Sequence, residues 1–296
     1  MIEVNPLRIL VSFPHQTNQE GSLLVIGPPK PRWVNLHEEK MVKSYGLVKH
    51  TDANVVFHAG KIKDTGKPLL KVLDANDLSV RDTYALDTRD PHSLCVVEDN
   101  LFIVATGTDE VRAVPLTDPG KKSEVVYRVP DSNGSADTYH LNSIVTTPDG
   151  RTLVSGFGPR EGQKWYTAQN GFVADVLTSE KLIEGIYHPH TLFVAGSDIL
   201  ICESSRSKVH NLNRKTVWEG NLYTRGLAYD NQDNLLIGES TGVMHESQKG
   251  TIRNAEDEGT IVGEAMIYRY NKNTGKTTVM QKLSAYGPEI YDIVTL

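Results

Sequence analysis

Hydrophobic residues in this chain fall in short dense runs, such as residues 7–13, 22–26, 101–104, 199–201 and 235–237, each bounded by turn-forming residues. The spacing of three and four that marks an amphipathic helix is sustained nowhere. Short apolar runs separated by turns such as Asn133-Gly134 and Asp149-Gly150 predict an all-β chain, with sandwich, barrel and propeller as candidates. A fixed repeat decides between them. One three-residue pattern, an anchor followed by a short residue and an aliphatic one, recurs as Tyr45-Gly46-Leu47, His92-Ser93-Leu94, Asn142-Ser143-Ile144, His190-Thr191-Leu192, Arg225-Gly226-Leu227 and Tyr291-Asp292-Ile293.

The anchors are 47, 50, 48, 35 and 66 residues apart, and a four-stranded propeller blade takes about 40 to 50 residues. The chain therefore reads as a six-bladed β-propeller, a single domain over residues 1–296 with an insertion at about 241–263. Each opening strand is followed by a turn and a second apolar run, at residues 55–57, 101–104, 152–154, 199–201 and 235–237. Continuous apolar runs suit strands covered on both faces, as in a blade packed between two others. The last anchor stands five residues before Leu296, too late to complete a blade. Runs at 7–13, 22–26 and 32–36 supply the three missing strands. N-terminal strands joining the C-terminal strand would close the ring and remove its open edges.

Composition narrows the function classes. A net charge of -6 argues against a basic nucleic-acid surface, and no apolar run of 18 residues could cross a membrane as a helix. The N-terminus lacks a signal-peptide pattern, and Cys95 and Cys202 sit in apolar runs as free thiols would. A cytoplasmic protein is expected. No phosphate-binding glycine loop, zinc-binding His-Glu-x-x-His or Gly-x-Ser-x-Gly elbow is present.

In a propeller the anchors and the loops after the second strands meet at one face, near the axis. Six of the ten histidines fall in these positions: His15, His58, His92, His140, His188 and His190. Imidazoles and carboxylates around an axis suit a divalent metal, with zinc, iron, manganese or copper not distinguished. The expected ligands are His92, His140 and His188, with His190 and Glu289 next. A water-filled channel without metal is the intermediate reading, and a single histidine at a strand start is more often a structural hydrogen-bonding group. Arg160, Arg206 and Arg225, with Asn142, are the candidates for holding a small anionic substrate. Glu203, Glu239, Tyr223 and Tyr291 are the candidates for moving a proton. Salt bridges and channel packing are the plain alternatives for these groups.

The runs His188-Pro189-His190-Thr191-Leu192, Tyr223-Thr224-Arg225-Gly226-Leu227-Ala228 and Glu289-Ile290-Tyr291-Asp292-Ile293 resemble an uncharacterised family of bacterial six-bladed propeller domains. The segments at 9–12 and 21–26 are similar to it too. More remotely, the layout resembles the six-bladed amidating lyases, which hold zinc by histidines from several blades. It also resembles gluconolactonase-type hydrolases, whose ligands are mainly Glu, Asn and Asp; the richness in His departs from that pattern. The expectation is a metal-dependent enzyme, a lyase or isomerase before a lactone or ester hydrolase, acting at the channel mouth. The alternative is a non-catalytic binding or scaffold propeller that meets a partner through its insertion.

Overall fold

The computed structural model describes residues 6–14, 22–36, 41–62, 65–162, 165–230, 232–241 and 264–296. Of the expected insertion only Thr241 lies among them, and His15, His37 and His245 lie outside. The described residues form six four-stranded antiparallel sheets. The chain is a six-bladed β-propeller.

Blade one combines β1 (Ile9–Ser12), β2 (Leu23–Ile26) and β3 (Arg32–Trp33) with the last strand, β24 (Asp292–Thr295), in the order β24-β1-β2-β3. Ile9 pairs with Thr295 and Ser12 with Asp292, so the expected closure by both ends of the ring is present. Blade two is β4 (Met41–His50), β5 (Val55–Ile62), β6 (Pro68–Asp74) and β7 (Val80–Ala85). Blade three is β8 (Pro91–Val97), β9 (Asn100–Ala105), β10 (Glu110–Pro115) and β11 (Glu124–Arg128). Blade four is β12 (Leu141–Thr146), β13 (Thr152–Gly156), β14 (Gly171–Asp175) and β15 (Lys181–Ile186). Blade five is β16 (Pro189–Ala195), β17 (Asp198–Glu203), β18 (Lys208–Asn211) and β19 (Thr216–Glu219). Blade six is β20 (Tyr223–Tyr229), β21 (Leu235–Ser240), β22 (Ala265–Asn271) and β23 (Lys276–Lys282).

The strand period of two explains the core. Along β1, Ile9 and Val11 face blade six, where they meet Leu236 and Ile267. Leu10 faces the other way and packs with Leu47 and Val56 of blade two. Alternate side chains point to opposite faces of a strand, and a blade has a neighbour on each face. The same division yields one apolar cluster in each of the six gaps between blades. Full burial of one such Val, Leu or Ile stabilises the ring by about 1.5–3 kcal/mol.

The inner strands β4, β8, β12, β16, β20 and β24 touch in that order around the axis. In the first five of them the pairing register slips by one residue at the anchor, between Ser44 and Leu47, Pro91 and Leu94, Leu141 and Ile144, His190 and Leu192, and Arg225 and Leu227. The anchor pattern is thus a β-bulge. A bulge re-aims a side chain without ending the strand, so the anchor turns toward the axis while the aliphatic residue returns to the gap between blades. The short residue fits because inner strands come close there. A Cβ on Gly46 would lie 2.6 Å from the His92 carbonyl oxygen, and Gly226 has φ +74° with Ile293 beside it.

Side-chain hydroxyls stitch neighbouring blades at the same level. Ser12 Oγ donates to the Tyr45 carbonyl, Thr106 Oγ1 to Leu141, Ser155 Oγ to Pro189 and Ser204 Oγ to Thr224. Each bond reaches from the end of a second strand to the inner strand of the following blade.

Candidate functional site at the channel mouth

The six anchors converge. Tyr45 stacks on His92 with ring centroids 4.6 Å apart, and Tyr291 meets both edge-on at 5.3 and 5.7 Å. His190 lies 6.5 Å from Tyr291, ring to ring. The Tyr291 hydroxyl, from blade one, donates to Asn142 Oδ1 of blade four at 3.3 Å. Blades one and four are opposite each other, so this bond crosses the axis. The Arg225 guanidinium lies over the Tyr223 and Tyr291 rings at 4.9 and 5.3 Å and pairs with Glu289.

The residues two positions before the anchors form the next layer. Asp90, His140 and His188 have φ values of +58°, +50° and +52°. A left-handed backbone at three equivalent non-glycine positions costs of order 1–3 kcal/mol each and needs its surroundings to hold it. What holds it is shared. The carbonyls of Asp90, His140 and His188 each accept an N–H from the segment after the neighbouring second strand, from Thr106, Phe157 and Ser204 at 3.1, 3.3 and 3.3 Å.

Hydrogen bonds fix the state of each imidazole. His188 Nε2 donates to the Trp165 carbonyl at 3.1 Å, so its Nδ1 accepts from the Tyr223 hydroxyl at 3.0 Å. Ser204 Oγ gives its proton to the Thr224 carbonyl, so His190 Nδ1 is the donor to Ser204 Oγ, at 2.8 Å, and to the His188 carbonyl. His190 Nε2 is then a bare acceptor, buried and without a partner among the described residues. Burial, with the Arg225 charge next, holds His190 well below the usual histidine range and keeps it neutral. His92 donates from Nδ1 to the Asp90 carbonyl at 3.1 Å, and burial lowers its pKa to about 4. Burial alone would raise Asp90, but His92 and the Lys61 ammonium paired with it hold that carboxyl below its ordinary value.

His140 differs from the rest. Its Nδ1 faces Asp137 Oδ2 at 2.9 Å while Asp137 Oδ1 accepts the His140 backbone N–H at 3.1 Å. The ring packs against Phe157 at 4.5 Å and Trp165 at 4.4 Å, and its side chain keeps 15% of its surface exposed. His92 lies edge-on at 5.3 Å. An Asp-His pair, a second imidazole and an indole wall thus border the channel mouth, with Arg160 over the Trp165 ring at 4.7 Å.

The expected metal ligands do not assemble a metal centre. Among the described residues no three His, Cys, Asp or Glu side chains come together as one. His188 uses both ring nitrogens within the protein, and Glu289 is held by Arg225. His92, His140 and His190 keep Nε2 out of these bonds but do not meet as a triad. The donor set does not fit the three-ligand catalytic site, and no chemical step is derived through a metal.

The other candidates divide. Glu203 accepts the Tyr187 N–H at 3.1 Å and lies near Arg206 and His210, at 3.5 Å from each. Glu239 Oε1 accepts the N–H groups of Asn221 and Leu222, both at 2.8 Å. Both carboxylates staple the loop that leads into an inner strand, as Asp109 does for Thr138 and Tyr139. Arg206 lies over the Tyr187 ring at 3.7 Å. Tyr223 and Tyr291 belong to the central layer, where burial raises both phenols above their ordinary pKa. His58, expected in a loop, is inside β5, which runs on to Ile62; its Nε2 meets Ser44 Oγ at 2.8 Å and burial lowers its pKa to about 3. Asp137 was not foreseen; the Asp-x-x-His spacing before a strand is its only signal.

No protein-family model matches the chain, and no curated protein is similar to it in sequence. Solved structures match its shape. A chain of the nidogen–laminin complex superimposes with a TM-score of 0.63 at 12% identity, over 98% of each chain. A putative 6-phosphogluconolactonase from Bacteroides fragilis gives 0.58 at 12% identity over 100% of this chain and 99% of that one. A luciferin-regenerating enzyme gives 0.58 at 9% identity over 84% of this chain and 78% of that one. What they share with it is the fold. No helix among the described residues is long and apolar enough to cross a membrane.

Proposed function

We propose that the protein is an enzyme that moves a proton on a small, polar, anionic substrate held at the channel mouth, in a reaction of lyase or isomerase type. The observation that carries this reading is the Asp137–His140 pair. A carboxylate behind one imidazole nitrogen fixes the ring and its tautomer, and stabilises the imidazolium formed when the other nitrogen takes a proton. Trp165 offers a wall for the substrate, and Arg160, over the indole ring, supplies positive charge for the substrate's carboxylate. His140 Nε2 would remove a proton from the carbon next to that carboxylate. The electron pair then moves onto the carboxylate oxygens or expels a leaving group from the neighbouring carbon, and the imidazolium returns the proton.

The same base acting on water would make the protein a lactone or ester hydrolase. A binding or scaffold propeller is favoured by a different observation: Arg225, placed to clamp an anion, already pairs with Glu289. The two buried free thiols support a reducing compartment such as the cytoplasm.

Deuterium uptake from D2O into a panel of small 2-hydroxy and 3-hydroxy acids, followed by NMR, tests the first reading; a pH-stat assay on lactones and esters tests the second. His140→Gln should abolish turnover and Asp137→Asn reduce it by about a hundred-fold or more. Turnover unchanged in His140→Gln would sink the assignment of the base. A stoichiometric transition metal lost from His92→Ala, His140→Ala and His188→Ala would restore the metal-dependent alternative.

A further inference from the structure

Below the anchor ring the inner strands enclose a cavity of about 290 Å³, bordered among others by Lys49, Cys95, Asn142, Ser143, Tyr291 and Asp292. Three of its polar groups are not used up by the fold. Asn142 is 2% exposed; its Oδ1 takes the Tyr291 hydroxyl, and its Nδ2 has no partner among the described residues. Ser143 Oγ accepts the Leu192 N–H at 2.8 Å, which leaves its own proton to donate. The Asp292 carboxylate accepts the N–H groups of Leu47 and Ile293, both at 2.9 Å, and it forms no ion pair among the described residues, although Lys49 borders the same cavity. A half-buried carboxylate without an ion pair is costly, and a bound ammonium would relieve it.

Asn142 and Ser143 are consecutive, so their two donors come from one bulge in blade four. Asp292 begins the inner strand of blade one, on the opposite wall. The cavity therefore presents a carboxyl group across from a pair of hydrogen-bond donors, and its volume is at the lower end of ordinary ligand pockets of about 300–1,000 Å³. We propose that it binds a small primary amine carrying an oxygen a few bonds away, an amino alcohol or amino acid, with the ammonium on Asp292 and the oxygen on Asn142 and Ser143. This site shares the anchor Asn142 with the ring above it but does not rest on His140.

Titration calorimetry of the full chain with ethanolamine and with glycine tests the proposal, using potassium chloride and ethylene glycol as controls. Binding of ethanolamine alone identifies an amino alcohol and binding of glycine alone an amino acid. Asp292→Asn, and Asn142→Ala with Ser143→Ala, should each weaken it by about tenfold or more, while His140→Gln leaves it unchanged. Because Asp292→Asn also touches the ring closure, protection of Cys95 from a small alkylating reagent gives a second readout on the unaltered protein. Cys202 is fully buried and stays silent. The amine should slow Cys95 labelling and ethylene glycol should not. No binding of either amine at about 10 mM, equal affinity in Asp292→Asn, or equal effects of the controls would overturn the proposal.

Discussion

Replacing Asp292 by Asn should change stability with a sign that depends on pH. Burial pushes the Asp292 carboxyl from 3.8 up to about 7, against the lowering pull of the Leu47 and Ile293 N–H groups. Its ionisable surroundings include Lys49, Cys95 and Tyr291 around the cavity and Cys202 on β17; β1 contributes Ser12. Between pH 4 and 7 the folded protein holds a proton there that the unfolded chain has lost, so stability falls as pH rises through that window. The full shift would correspond to about 4 kcal/mol, and because the side chain partly faces the channel we expect about half of that, about 2 kcal/mol. Asparagine has one acceptor oxygen, so it keeps one of the two backbone hydrogen bonds and loses about 1 kcal/mol at every pH. The variant should therefore be less stable than the parent by about 0.7 kcal/mol at pH 4, equal to it near pH 5 and more stable by about 1 kcal/mol at pH 8. Urea denaturation of both proteins at pH 4, 5 and 8 measures this directly. A difference that stays flat across the three pH values would refute the reasoning, because it would mean that the carboxyl titrates in its ordinary range.

Arg225→Met should destabilise the fold by about 3–5 kcal/mol by leaving Glu289 buried without its cation, and Arg225→Met with Glu289→Gln should recover part of that in a double-mutant cycle. Additive losses in the cycle would show that the pair is not coupled. Gly226→Ala forces a Cβ against Ile293 at a left-handed backbone, at a cost of about 1–3 kcal/mol; an unchanged thermal midpoint would contradict the close approach of β20 and β24. Deleting residues 1 to 13 removes β1 and strands β24 away from β2. The truncated protein should lose its cooperative melting transition, and a parental melt would count against the closure.

The ring was legible because a propeller constrains its own sequence. The apolar runs at 7–13 and after Tyr291 read as strands of one sheet, and Ile9 paired with Thr295 is the observed join. The anchor pattern was readable because a bulge at a crowded axis demands a short residue, as at Gly46 and Gly226. The convergence of the anchors followed from the same register. What the pattern hid was the partner of each polar group. Glu203 and Glu239 occupy matching positions, but their main partners are backbone N–H groups, which carry no side-chain signature. Arg225 looked available because Glu289 is 64 residues away. His188 looked like a ligand because nothing in the sequence says that the Trp165 carbonyl takes its second nitrogen. Asp137 and His140 read as a turn before a strand, and only the distance between Oδ2 and Nδ1 makes them a pair.

The join between β1 and β24 also governs when the molecule can fold. Ile9 has no inner-strand neighbour in its own blade until Asp292–Thr295 has been synthesised, so during translation blades two to six can assemble while the ring stays open. Contacts between residues this distant in sequence bear a large loop-closure entropy before they return any stabilisation. Until then the apolar edges of β1 and of β20, which later meet across β24, are exposed together on one nascent chain. The interval between the emergence of blade six and the arrival of its last neighbour is when this protein is most open to mispairing with another copy of itself.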